Sequence, residues 1–261
     1  MIKNKKVLLA AVLLTFSMAA TAWAAPDKFS VQADEMEYDL QTGDGTAKGH
    51  VVLTQNDGRA TANEAVFNSK TKSGTLIGNV VADRGDAHIV CDKFIAHNEN
   101  DMSAVGSAVI TKQGKSLSAD QVNYFKVREY AETVGSWAKM TDVDGSVLNA
   151  SRIDYDIKNG VAKAYGGVTV DSPARDLTAS ADNAVYETKA DGTIQLLGNA
   201  KATQNGNSVA GDKLLLKNTN VAVADGNVVI HYTPEKQPAA GSASEQQKEQ
   251  GIVKEEEMAT A

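Results

Sequence analysis

The residues of this chain that could do chemistry are few and far apart. Four histidines, His50, His88, His97 and His231, fall in separate segments without the spacings that gather ligands around a metal. They read as surface or packing residues. Asp142-x-Asp144-Gly145 has the opening of a calcium loop, but the ligands that should follow are missing and a hairpin turn accounts for it. Cys91 is the sole cysteine, so no internal disulfide can form. No Ser/His/Asp constellation and no phosphate-type glycine loop stands out. The chain does not read as an enzyme, and nothing in it calls for a cofactor or a metal.

What remains is apolar chemistry. Bulky side chains recur at regular spacing: Met36, Tyr38, Val51, Leu53, Phe67, Val80, Phe94, Ile110, Val122, Tyr124, Ile153, Tyr155, Val168, Val170, Tyr186, Leu214, Leu216, Val228 and Ile230. Turned to one side, they would form a continuous apolar surface, each buried methylene being worth about 0.8 kcal/mol. An ordinary dry core would use the same residues, since side chains commonly fill small β-structures. Alanine at Ala65, Ala96, Ala108, Ala184, Ala200 and Ala202 favours unfilled space.

The elements that hold these residues come from an internal repeat of about thirty residues, present seven times. A small residue followed by Asp, Asn or Ser marks it at Ala33-Asp34, Ala62-Asn63, Cys91-Asp92, Ala119-Asp120, Ala150-Ser151, Ala181-Asp182 and Gly211-Asp212. A glycine keeps the same beat at Gly49, Gly78, Gly106, Gly135, Gly166, Gly198 and Gly226. Cys91 takes a place that alanine fills in five other repeats, so it is expected to act as a small buried apolar residue.

Between the markers apolar and polar residues alternate, as in Val51-Val52-Leu53-Thr54 and Ile153-Asp154-Tyr155, the period of a β-strand. Turn residues cut the runs at Gly43 to Gly45, Asp57-Gly58, Gly74, Arg84-Gly85, Asn98 to Asp101, Gln113-Gly114, Asp144-Gly145, Asn159-Gly160, Ser172-Pro173, Asp191-Gly192, Asn205-Gly206 and Asn218 to Asn220. With Lys126 to Ala131, which lacks turn residues, these make thirteen connections and therefore fourteen strands. The connections are short, which suits antiparallel neighbours and rules against parallel crossovers. Stacked at about 4.8 Å, fourteen strands would form a rod about 65 Å long.

Parity predicts that each strand bends. Ahead of the Asp-type marker the apolar positions lie at minus three and minus one, and after it at plus two and plus four. An odd offset before and an even one after cannot share one face of a flat strand, so the chain must bulge at the marker. Around the glycine the inward set runs at minus two, plus two and plus four, with the glycine itself expected inward, leaving a gap. The result is a bent-strand roll with an apolar lumen and unpaired strand edges at both ends. The intervals from Gly135 to Ser151 and from Gly166 to Asp182 are 16 residues where the others are 14.

The ends of the chain differ from its middle. Lys3, Lys5 and Lys6 precede an apolar run from Val7 to about Ala20 and the small-x-small site Ala22-Trp23-Ala24, so residues 1–24 are expected to be a signal peptide cleaved after Ala24, the competing reading being an uncleaved membrane anchor. Its removal lowers the 26 basic residues to 23 against 33 acidic ones, taking the net charge from −7 to −10. That sign argues against a nucleic-acid partner. Residues 25–232 form the β domain, and residues 233–261, rich in Pro, Ala, Gly, Ser, Gln, Lys and Glu, read as a disordered tail.

The pattern small-Asp-x-φ-x-φ followed by φ-x-Gly-Asn-Val, where φ is apolar, resembles the LptA/OstA-like family of periplasmic lipopolysaccharide-transport proteins. Leu76-Ile77-Gly78-Asn79-Val80-Val81, Leu196-Leu197-Gly198-Asn199-Ala200 and Asp225-Gly226-Asn227-Val228-Val229 carry it on one strand type. Ala33-Asp34-Glu35-Met36-Glu37-Tyr38 and Ala181-Asp182-Asn183-Ala184-Val185-Tyr186 carry it on the other. The resemblance covers residues 29 to 232. It implies an open antiparallel β-jellyroll whose lumen holds the acyl chains of lipopolysaccharide or lipid A. It further implies pairing of edge strands, here around Phe29 to Tyr38 and Gly226 to Tyr232, with an inner-membrane partner of the LptC type and an outer-membrane partner of the LptD type. Head-to-tail self-association would use the same edges. A structural or adhesive envelope protein with a packed core is the competing reading, and a β-helix enzyme acting on polysaccharide is disfavoured by the short hairpin turns.

Overall fold

The computed structural model describes residues 29–187, 193–217 and 221–233. The expected signal peptide, the turns at Asp191-Gly192 and Asn218 to Asn220, and the tail beyond Thr233 lie outside the described residues. Spatial contacts divide the chain into residues 1–231 and 232–261, and the first of these units holds the strands.

The strands are β1 (Phe29–Gln32), β2 (Glu35–Tyr38), β3 (Asp44–Gln55), β4 (Gly58–Asn68), β5 (Ser73–Arg84), β6 (Ala87–Ala96), β7 (Asp101–Lys112), β8 (Lys115–Phe125) and β9 (Tyr130–Thr141). They continue with β10 (Val147–Ala150), β11 (Arg152–Asp156), β12 (Val161–Ser172), β13 (Leu177–Glu187), β14 (Thr193–Gln204), β15 (Asn207–Lys217), β16 (Val221–Asp225) and β17 (Val229–His231). All belong to one sheet, and every pairing is antiparallel. β1 and β2 both pair with β3, β10 and β11 both with β9 and β12, and β16 and β17 both with β15. Each of these three couples is one bent rung interrupted at its marker, so seventeen strands make fourteen rungs.

Every marker coincides with a break in register. Opposite Asn63, for example, β3 places Gly49 and His50 between the paired residues Lys48 and Val51. The same two-against-one arrangement sets Gly78-Asn79 against Asp92 and Gly198-Asn199 against Asp212. A bulge of this kind sharpens the local twist and bends the strand. It divides each rung into two limbs, such as Gly58–Ala62 and Glu64–Asn68 of β4. Inward residues fall at Ala60 and Ala62 in one limb and at Ala65 and Phe67 in the other, and all four are buried. A single apolar core gathers residues from both limbs, because the bulge lets the two halves of each rung face each other.

The glycines are not on the inward face, contrary to the expectation from parity. The marker glycines are half-buried or exposed and lie at the bend itself. Gly74, expected in a turn, lies inside β5, and the turn before it is formed by Ser69 to Lys72. The two long intervals also resolve. In β9 the bulge holds three residues, Gly135, Ser136 and Trp137, against Asp120 alone, and the following turn runs from Asp142 to Ser146. Between Gly166 and Asp182 the extra length is a single 3-10 turn, Pro173–Arg175.

Candidate binding lumen

The bend that shapes the interior rests on a pairing of the two markers across adjacent rungs. Asp34 lies over Gly49, Asp92 over Gly106, Asp120 over Gly135, Asp182 over Gly198 and Asp212 over Gly226, so that a Cβ on any of these glycines would overlap a carboxylate. At Gly78 the same methyl would stand 2.6 Å from Asn63 Nδ2, and at Gly166 2.7 Å from Ser151 Oγ. Six of the seven glycines have φ between 70° and 80°, and the next residue is also left-handed, as in Asn79 at 50° and Asn199 at 47°. Asparagine tolerates that conformation better than most residues. Its amide also finds the carboxylate: Asn199 Nδ2 donates to Asp182 Oδ2 at 2.9 Å and Asn227 Nδ2 to Asp212 Oδ2 at 3.0 Å. The recurring Gly-Asn is therefore one half of a clasp whose other half is the Asp, or at Gly78 the Asn, fifteen or so residues earlier.

Inside the bend the predicted lumen residues divide by position along the stack. Val51, Phe67, Val80, Ile110, Val122, Tyr124, Ile153, Tyr155, Val168, Val170, Tyr186 and Leu214 are buried. Leu53, Phe94 and Leu216 are half-buried and pack against that core. Met36, Tyr38, Val228 and Ile230 are exposed, at 46%, 42%, 46% and 69%, because they belong to the two end rungs, which have a neighbour on one side only. Pattern reasoning passed over Ile194 and Leu196, both buried. They alternate at minus four and minus two from Gly198, so the signal was present. Phe29 was also missed. Its ring meets Phe67 edge-on at 5.8 Å while Tyr38 stacks on Phe67 at 6.1 Å, and Phe67 covers Gly45, where any Cβ would overlap its ring. These three aromatic rings cluster at the N-terminal end of the stack.

The interior is not uniformly filled. A cavity of about 300 Å³ is lined by Leu53 and Ala60 from one limb and by Phe67, Leu76 and Phe94 from the other. A neighbouring cavity of about 390 Å³ shares Leu53, Ala60, Phe94 and Ala96 with it and extends to Met102 and Lys126. Towards the C-terminal end, a cavity of about 320 Å³ lies among Leu177, Ala202 and Val209 of one limb and Ile194, Leu216 and Ala222 of the other. Between them the space narrows to about 80 Å³, where Met140, Leu148, Ile153 and Tyr186 converge.

The polar candidates serve the scaffold. His50 Nδ1 lies 2.8 Å from Asp34 Oδ2, His88 Nδ1 2.6 Å from Asp83 Oδ1 and His97 Nε2 2.9 Å from Ser103 Oγ, on separate rungs. Asp142 accepts an ion pair from Lys115 at 3.5 Å, while its carbonyl takes the Gly145 N–H at 3.0 Å, and Asp144 Oδ1 takes the Ser146 N–H at 2.9 Å, closing the β9–β10 turn. Cys91 is 3% exposed and burial pushes its thiol up, as befits a packing residue. The turn between β8 and β9, which lacks turn residues in sequence, is made by Glu129 at φ 48° and roofed by the Arg128 guanidinium, 3.9 Å above the Phe125 ring.

Comparison with known proteins identifies a family. A family model described as LptA/(LptD N-terminal domain) LPS transport protein matches residues 59–220, more than half of the chain. Among solved structures, the chain is similar to LptH, the LptA homologous periplasmic component of the conserved lipopolysaccharide transport device from Pseudomonas aeruginosa. The identity is 16%, the match covers 79% of this chain and 96% of that one, and the TM-score is 0.18. No curated protein matches. On the strength of the family match, which runs from β4 to β15, the chain belongs to the LptA/LptD N-terminal-domain family of LPS transport proteins.

Proposed function

We propose that this protein is a periplasmic lipid-binding bridge that carries the acyl chains of lipopolysaccharide, or lipid A, between its limbs on the way from the inner to the outer membrane. Cleavage after Ala24 would release it into the periplasm. The carrying observation is the run of cavities between the limbs, lined from both sides by apolar residues. A domain that needed only a dry core would fill that space, since interiors normally pack to crystal-like density. Directional movement must come from elsewhere, because the lumen residues can offer acyl chains contact area but no source of energy.

The end rungs supply the means of joining. Among the described residues β1 and β2 pair only with β3, and β16 and β17 only with β15, leaving one row of backbone groups unused at each end. Such edges favour strand addition. In this reading they receive an inner-membrane LptC-type jellyroll at one end and an outer-membrane LptD-type jellyroll at the other, with head-to-tail self-association as a further use.

The narrow middle, where Met140, Leu148 and Tyr186 leave about 80 Å³, favours the second reading of a structural envelope protein with a packed core. Photo-crosslinking separates the two. A photoreactive residue at Phe94, which lines two cavities, and one at Lys93, exposed on the outer face, are placed in cells making lipopolysaccharide. A lipopolysaccharide adduct from position 94 alone is expected. Lipid from neither position, in a folded and correctly located protein, would sink the carrier reading and leave the structural one.

A further inference from the structure

The outer face of one limb carries a row of side chains beside the bend in which apolar and hydrogen-bonding residues alternate from rung to rung. Ile77 pairs with Lys93, Lys93 with Val105, Val105 with Gln121 and Gln121 with Val134. Past the three-residue bulge of β9 the row resumes with Arg152, Tyr165, Asn183 and Leu197, each opposite the next. In these rungs the apolar member precedes a marker glycine and the polar member follows an Asp-type marker, so the repeat itself writes the alternation. Rungs stack at about 4.8 Å, so apolar groups recur about every 10 Å along a straight line.

The centre of the row departs from the repeat. The long bulge of β9 presents Trp137, the sole tryptophan among the described residues, at 42% exposure, with Val134 and Tyr165 also exposed. Its indole N–H is taken by Asp120 Oδ1 at 2.7 Å, and the same carboxylate accepts the Ser136 N–H at 3.0 Å. With that donor committed, Trp137 shows solvent its ring carbons in a fixed orientation. Scattered apolar residues on a surface need no explanation, but a ring held out by a dedicated bulge does. The charge next to it is balanced, since Arg152 is shared between Asp154 and Glu132. Polar residues interrupt the apolar ones at every second rung, so the row lacks the continuous apolar centre of a protein interface. A pyranose ring has an apolar C–H face and a rim of hydroxyls. Aromatic rings suit the face, while the amides of Gln121 and Asn183 and the guanidinium of Arg152 suit the rim.

We propose that this row is a docking surface for a neutral, β-linked glycan strand laid along the stack, with Trp137 as its main anchor and Tyr165, two rungs away, as its second. A β-linked glycan extends as a straight ribbon and meets a straight row at regular intervals, which a coiled α-linked chain does not. The row lies outside the roll and its residues do not line the three cavities between the limbs, so the surface stands or falls independently of the lipid-carrier reading.

Titration of the full chain with chitotetraose, with maltotetraose as the α-linked comparison, tests it. The indole N–H resonance of Trp137 should shift progressively with chitotetraose and much less with maltotetraose. By isothermal titration Trp137→Ala should bind chitotetraose about tenfold more weakly, the equivalent of about 1.4 kcal/mol. Tyr165→Ala, which leaves the Asp120 contacts in place, should also weaken binding, whereas Lys201→Glu on the outer face of the other limb should not. β circular dichroism checks that each variant is folded. An unmoved indole resonance, or binding that survives both aromatic substitutions, would overturn the glycan surface. Equal binding of maltotetraose would overturn the assignment to a straight β-linked strand. An indole shift that follows protein concentration without any sugar would make the row a contact between copies of this chain and overturn the proposal as well.

Discussion

Asp120 holds more than the other marker carboxylates do. It accepts the Ser136 N–H at 3.0 Å and the Trp137 indole N–H at 2.7 Å, so the three-residue bulge of β9 is gripped by one side chain. Two rungs on, Arg152 is held by Asp154, through Nε at 2.6 Å and Nη2 at 3.0 Å, and reaches Glu132 at 3.2 Å. Tyr130 lies in this group, and its phenol is pushed up to about 12, first by burial and then by its hydrogen bond to Asp154, with the Asp154 and Glu132 charges adding and Arg152 opposing. The sign of the linkage follows. Below the ordinary value of 10.0 the phenol is protonated in both folded and unfolded chains, and its contribution to stability is whole. As pH rises from there through about 12, the unfolded chain ionises first and the contribution is lost. Titration of tyrosinate absorbance should show late phenols, since burial also raises Tyr124, and Asp154→Asn should move Tyr130 part of the way down, narrowing the window over which urea midpoints fall.

At the scale of the element, the clasp between Asp and Gly turns a strand into two limbs. Gly198 combines a φ of 77° with the Asp182 carboxylate over its missing Cβ. A left-handed non-glycine residue costs about 1–3 kcal/mol by itself. Gly198→Ala should therefore cost at least that in urea denaturation, because overlap with Asp182 adds to the backbone strain. Asp182→Ala introduced into the same chain should recover part of the loss, a non-additivity that distant substitutions lack. Gly85→Ala is the comparison: φ there is 57° with open space around the missing Cβ, so it should cost only about 1–2 kcal/mol. Equal costs at Gly85 and Gly198 would remove the clasp from the account of the bend.

For the molecule as a whole, the question is which interior residues hold the roll and which only line it. Phe67 is buried between Phe29 and Tyr38 and over Gly45, while Phe94 is half-buried and faces two cavities. Removing a packed phenylalanine costs about 3–5 kcal/mol, and a buried carboxylate adds to that. Phe67→Glu should therefore shift the chemical denaturation midpoint strongly. Phe94→Glu should leave the β circular dichroism intact and lower the lipid recovered with the protein. Unfolding by both substitutions would mean that the interior around Phe94 is a packed core.

Much of this was legible along the chain. The alternation of Ala60, Ala62, Ala65 and Phe67 announced both the strand and its bend, because a change of parity has no other solution in a β-ladder. Turns at Gln113-Gly114 and Asn205-Gly206 were equally plain, and both adopt the two successive left-handed residues that such dipeptides permit. The inward place expected for the marker glycines was wrong for a physical reason: the Asp of the adjacent rung occupies the space beside them, and only strand pairing brings the two markers together. The register from Gly135 to Asp144 likewise waited on the structure, since an extra bulge residue shifts every later side chain. By itself the sequence determined the rungs, their bends and the apolar face, all of which depend on contacts between neighbouring strands. Tertiary structure alone decided how much room those faces leave, because the volume between two limbs is set by the curvature of the entire stack and is written in no single strand.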